Sequence, residues 1–151
     1  MMSIVVRRIV AYRPEQLFDV AADIEDYPDF LHNCSATRVV RQSGDTWVVD
    51  NVFRWGPVPL RFRTQAVLSR PHAIHIETLK TEPVKLKLSW AFTPQGQETE
   101  VALSMALELD MPLIGGLMSD FLNREAEATQ QAFLEEVSRR YGPPQSSKIE
   151  K

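Results

Sequence analysis

Only one cysteine, Cys34, occurs in the 151 residues, so no intrachain disulfide can form and an oxidising compartment receives no support. No apolar run approaches the roughly 20 residues that span a bilayer. The start, Met1-Met2-Ser3-Ile4-Val5-Val6-Arg7-Arg8, lacks both the basic-then-apolar order of a secretory signal and the Arg/Ser-rich pattern of a transit segment. The expected location is cytoplasmic, with a peripheral place at the inner face of a membrane as its variant. Positive charge is also short, 17 Lys and Arg against 20 Asp and Glu for a net charge of −3, which argues against general nucleic-acid binding and predicts no DNA partner. The six glycines form no phosphate-cradling loop, and no G-x-S-x-G is present.

What is present is alternation. Ser3 to Tyr12 is rich in Val and Ile and predicts a strand. Pro14 and Glu15 then suit a first helical turn, and Leu17, Val20, Ala21 and Ile24 recur at helical spacing, giving a short helix that ends near Asp23. Arg13 is a poor residue to cap it. Pro28 prevents a simple continuation and predicts a second short helical turn or a loop. From residue 34 to 110 the period is two, and six strands are expected at about Ala36–Arg41, Thr46–Trp55, Pro59–Ser69, Ala73–Leu79, Val84–Thr93 and Glu100–Leu109. Turn residues at Ser43-Gly44-Asp45, Gly56-Pro57, Arg70-Pro71-His72 and Pro94-Gln95-Gly96 separate them.

Beyond residue 110 the period returns to about 3.6. Ile114, Leu117, Met118, Phe121, Leu122, Ala126, Thr129, Phe133 and Val137 make one stripe, and Gly142-Pro143-Pro144 is a firm stop. Residues 1–144 therefore read as one domain, with 145–151 a disordered polar tail. The expected class is α+β: a curved antiparallel sheet of about seven strands gripping one long C-terminal helix, with two short helices after the first strand.

A strongly curved sheet closed by a single helix leaves a space between them, of the kind that holds a ligand. Phe53, Trp55, Phe62, Leu88, Trp90, Met105 and Phe121 are expected to converge on it, with Leu117 beside them and with Asn51 and Thr64 as its polar contacts. The competing expectation is that the aromatic side chains simply fill the space. Leu113, Ile114, Gly115 and Gly116 lie in an uncharged segment between the last strand and the long helix, where a glycine pair weakens the helix start and suits a lid.

The stretch Phe18-Asp19-Val20-Ala21-Ala22-Asp23-Ile24-Glu25-Asp26-Tyr27-Pro28-Asp29-Phe30-Leu31, followed by Cys34, resembles the signature of the coenzyme Q-binding protein family, a branch of the START-like polyketide cyclase/dehydrase superfamily. Similarity continues through Trp90-Ala91-Phe92-Thr93-Pro94 to Ala132-Phe133 and Tyr141-Gly142. The family usually carries Pro-Trp where this chain has His32-Asn33, and Gly-Pro-Phe where it has Glu82-Pro83-Val84; these positions bear on the pocket mouth. The resemblance implies a helix-grip domain that binds ubiquinone, another polyprenyl quinone or a related isoprenoid lipid as a carrier, with no required cofactor. Its rival implication is a ribosome partner, since bacterial relatives are ribosome-association toxins, and a second alternative is polyketide aromatase/cyclase chemistry.

The residues themselves weigh these readings. Metal ligands would have to come from His32, Cys34, His72 and His75, which lack any CxxC or HExxH frame, so no metal is expected. Cys34 reads as a small buried residue. No catalytic residue is assigned, because the inward set is nearly all apolar or weakly polar and suits an apolar ligand better than acid–base work. Arg54, Arg61 and Arg63 fall on the outer face and are the patch through which a ribosome would be met.

Overall fold

The computed structural model describes residues 2–55, 58–108 and 115–144. Seven strands form a single antiparallel sheet: β1 (Met2–Val10), β2 (Cys34–Ser43), β3 (Thr46–Trp55), β4 (Val58–Ser69), β5 (Ala73–Thr78), β6 (Lys85–Gln95) and β7 (Glu98–Glu108). Their order is β1-β7-β6-β5-β4-β3-β2, so a consecutive meander is closed by the first strand pairing with the last. Between β1 and β2 lie α1 (Pro14–Ala22), a 3-10 turn (Ile24–Asp26) and α2 (Tyr27–Phe30); α3 (Gly115–Tyr141) follows β7. Positive φ at Gly44 and Gly96 serves the tight β2–β3 and β6–β7 turns, a conformation that glycine enters without steric cost.

Register places the expected faces inward. Val49 pairs with Thr64, Asn51 with Phe62 and Trp90 with both Ile74 and Leu103, and all seven are buried. The first strand is shorter than expected, ending at Val10, whereas β2 runs past both of its expected ends. Two register shifts in β2, between Cys34 and Ala36 and between Val39 and Arg41, break its alternation and hide its true length from a period-two reading.

The cap of α1 is half made. Gln16 Oε1 accepts from the Arg13 backbone N–H at 3.0 Å, but Arg13 has no side-chain acceptor to return the bond, so the reciprocal box is incomplete. At the other end of the chain the long helix closes on Gly142, whose φ is +85°, with the Gly142 N–H on Ser138 O at 2.8 Å. Tyr12 donates to Gly142 O at 2.8 Å, tying that stop back to the end of β1.

The core is densest under the C-terminal half of α3. Phe133 is fully buried and packs on Trp90 with ring centroids 4.3 Å apart and on Phe92 at 6.1 Å. Leu17, Val20 and Val137 are sealed in the same cluster. Two buried polar side chains fix the helix there. Gln130 Nε2 donates to Val6 O at 3.2 Å and Val101 O at 3.1 Å, pinning α3 to β1 and β7. Glu136 takes Arg139 at 2.5 Å and Arg140 at 2.7 Å, and Arg140 reaches on to Asp23 at 2.5 Å. The guanidinium of Arg139, then that of Arg140, holds the Glu136 carboxyl below its usual range. Both residues fall within the period-3.6 tail, yet their burial follows from partners on other elements rather than from hydropathy.

Candidate functional site

Along the sheet the inner face runs from full to hollow. The row holding Leu68, Ile74, Trp90, Leu103 and Val6 meets Phe133 and is filled. Six residues further along β4, about 20 Å at 3.3 to 3.4 Å per residue, the row of Asn51 and Phe62 faces a cavity. Leu88, Met105 and Ile76 floor it, Phe53, Leu60 and Phe62 wall one side, and Phe121, Leu122 and Thr129 of α3 roof it. Phe53 and Phe62 stack with centroids 5.6 Å apart. Trp90, Phe92 and Phe133 pack together at one end, and Trp90 also borders the cavity that the remaining residues line beyond it.

That space is about 1130 Å³ clear of protein atoms when its open mouth is included, of which about 90 Å³ admits the centre of a water-sized sphere. Several waters fit in the narrow part.

Eight of the expected lining residues are brought together here: Asn51, Phe53, Phe62, Thr64, Leu88, Trp90, Met105 and Phe121. The side chains of Trp55 and Leu117 lie outside the described residues, as do Leu113 and Ile114 altogether and the expected tail 145–151. Gly115 and Gly116 are the first two residues of α3.

With the geometry in view, the chain can be set beside known proteins. Residues 10–134 match the family described as polyketide cyclase / dehydrase and lipid transport. The chain belongs to that family. The ribosome association toxin RatA of Pseudomonas aeruginosa is 25% identical over 135 residues, spanning 89% of this chain and 94% of that one. The mitochondrial coenzyme Q-binding protein COQ10 of Drosophila melanogaster is 20% identical over 143 residues, 91% of this chain against 59% of the longer protein. A START superfamily protein from Mycobacterium smegmatis superposes with a TM-score of 0.81 at 14% identity, covering 91% of this chain and 98% of that one. The superposition shows the shared helix-grip fold, and the family match spans the stretch from Phe18 to Cys34. By its description the family joins cyclases and dehydrases with lipid transport, so membership alone spans enzyme and carrier.

Within this family fold, Tyr27, Glu125, Thr129, Asn33 and His32 also line the cavity, and none of them was among the expected ligand contacts. Tyr27 donates to Ala21 O at 2.5 Å, and burial pushes its phenol well above the usual range, so it stays protonated. The Trp90 indole N–H lies near enough to the Tyr27 oxygen to favour ionisation, yet short of hydrogen-bond geometry. Trp90 Nε1 is therefore the one buried side-chain polar atom among the described residues without a hydrogen-bond partner. In the same lining, Asn33 Nδ2 donates to the Glu125 carboxylate, strapping the loop after α2 to α3. These two residues are 92 positions apart, and no local pattern announces such a pair; only the departure from the family at His32-Asn33 marked the place.

The other candidates fall elsewhere. Cys34 is buried, and burial pushes its thiol up to about 12, far from a nucleophile's range. His72 sits in the turn before β5, and His75 is exposed on the outer face with Nδ1 2.5 Å from Ser89 Oγ. Arg54, Arg61 and Arg63 are exposed as expected, but Arg63 is engaged by Asp50 at 2.6 and 3.1 Å, which removes one charge from the patch. Among the described residues no helix is long and apolar enough to cross a membrane.

Proposed function

We propose that the protein binds an apolar ligand, a polyprenyl quinone such as ubiquinone or a related isoprenoid lipid, and acts as its carrier rather than as an enzyme. The supporting observation is the partly filled grip: apolar residues from five strands, β3 to β7, and from α3 line a slot that side chains leave unfilled. The lipid-transport description of the family and the coenzyme Q-binding name of a distant relative agree with this reading. The ligand is the only added group in it, with no cofactor or metal required. The segment containing Leu113, Ile114, Gly115 and Gly116 serves as a lid that touches a membrane surface while the ligand passes. Native mass spectrometry with lipid extraction of the purified protein tests the proposal. An isoprenoid that copurifies or binds is the expected result; no bound lipid under any loading condition ends the carrier reading.

A second reading has its own observation. Relatives that match most of the chain carry the name ribosome association toxin, and Arg38, Arg54 and Arg61 are exposed on β2, β3 and β4. Ribosome association through these groups is salt-sensitive, whereas retention of an apolar ligand is not. Reversal of Arg54 and Arg61 with unchanged ribosome co-sedimentation at low salt removes that reading.

A further inference from the structure

Asn51 stands on the inner face of β3 and is only 8% exposed. Its amide nitrogen has three acceptors: Val49 O at 3.1 Å, Phe62 O at 3.1 Å and Thr64 Oγ1 at 3.0 Å. Two of these are backbone carbonyls, which can only accept, so the orientation of the amide is fixed by chemistry: its NH2 faces the sheet. The carbonyl oxygen, Oδ1, then points the opposite way. No donor among the described residues reaches it. It is nevertheless absent from the fully enclosed unsatisfied atoms, of which Trp90 Nε1 alone remains, so Oδ1 keeps contact with open space. For a buried residue that lines the cavity, that space is the cavity.

The surroundings raise the stakes. Val49, Phe53, Leu60 and Phe62 stand around Asn51 in the same lining, and a ligand that fills the slot expels the water that would otherwise serve Oδ1. An unserved buried acceptor costs more than an ordinary hydrogen bond returns. Thr64, which accepts from Asn51, keeps its own hydroxyl proton to give. Side by side the two residues offer one acceptor and one donor, the complement of a hydroxyl group, which both gives and takes. A carbonyl or ether oxygen takes only, and leaves Oδ1 without a partner.

We propose that Asn51 Oδ1, with the Thr64 hydroxyl, is the specificity point of the cavity and selects ligands whose head carries a hydroxyl, a phenol or a quinol, over the matching ether or quinone. This rests on the reading of the slot as an apolar-ligand site and narrows it: among quinone-type lipids, the reduced form is the one retained.

Displacement of 1,6-diphenylhexatriene fluorescence separates the two claims, because that probe has no polar atom. The expected result is that the probe binds, that 4-decylphenol displaces it at about tenfold or more lower concentration than 4-decylanisole, and that decylubiquinol outcompetes decylubiquinone in the same sense. Asn51→Leu should lose the phenol preference, bringing the phenol-to-anisole displacement ratio to about one, with the fold checked by circular dichroism. Equal displacement by phenol and anisole in the wild-type protein overturns the proposal and leaves the apolar site standing, whether or not the variant folds. Failure of the probe and all four ligands to bind overturns both.

Discussion

Phe133→Ala and Phe53→Ala remove the same atoms from the two ends of one sheet, and the structure predicts different costs. Phe133 has no exposed surface and sits between Trp90 at 4.3 Å and Phe92 at 6.1 Å. Its truncation leaves a sealed void, for which about 3–5 kcal/mol is expected, including the lost ring contacts. Phe53 is half-buried, stacks on Phe62 with centroids 5.6 Å apart and borders a space that no side chain fills. Its truncation forfeits part of one side chain's burial and adds no new sealed cavity, so about 1–2 kcal/mol is expected. In urea, with a slope of about 1–3 kcal/mol per molar, the two midpoints should separate by about 1 M at the central values. Phe133→Leu, a milder loss, keeps the comparison measurable if Phe133→Ala fails to fold. Equal destabilisation by the two alanines would refute the division into a filled end and a hollow one.

Gln130→Leu strips Val6 O and Val101 O of a donor and should destabilise by about 1–3 kcal/mol in the same titration; a neutral effect would show that these two bonds do not hold α3. The Glu136 carboxyl, held below its ordinary 4.5, contributes stability that is present above that value and lost as pH falls through the lowered folded value; Glu136→Gln should flatten that acid limb, and an unchanged limb in pH-dependent unfolding would contradict the ion network. Cys34, with its thiol pushed up to about 12, should react with a disulfide reagent at pH 8 only after denaturant is added, and a fast native reaction would show the thiol to be exposed. Gly115→Ala with Gly116→Ala should raise helix propensity by roughly 1 kcal/mol per site and slow lipid transfer between vesicles with equilibrium binding kept; transfer at the normal rate removes the lid.

The sheet was legible because burial on one face writes itself as alternation. Val49, Thr64, Ala66, Trp90 and Leu103 are inward as the period of two requires. Where a bulge interrupts that period, in β2, the expected strand came out short. The cavity's apolar floor was legible for the same reason, since floor and core draw on one inward pattern. Its polar fittings were not. Tyr27 looks to sequence like any aromatic of a short helix, and its partner Ala21 O is a backbone group. Glu125 belongs to a charged face until α3 is rotated into place, and Asn33 meets it only across the closed fold. Gln130 and Glu136 are buried because β1, β7 and Arg140 present partners to them, information that no hydropathy pattern contains.

A slot that side chains do not fill needs a reason not to close, because a chain can lower its free energy by collapsing onto a void. The strand ladders supply part of it: each strand from β7 through β3 is hydrogen-bonded on both sides, so the sheet keeps its shape without side chains to fill its inner face. The helix supplies the rest. Its C-terminal half is fixed by Phe133, Gln130 and the Glu136–Arg140–Asp23 chain, all beyond the cavity, and a rigid α3 held at that end cannot drop into the space under Phe121 and Leu122 without leaving those partners. The contacts that stabilise the fold and the space that receives a ligand are therefore arranged in series along one helix, and the stability of the first is what keeps the second open.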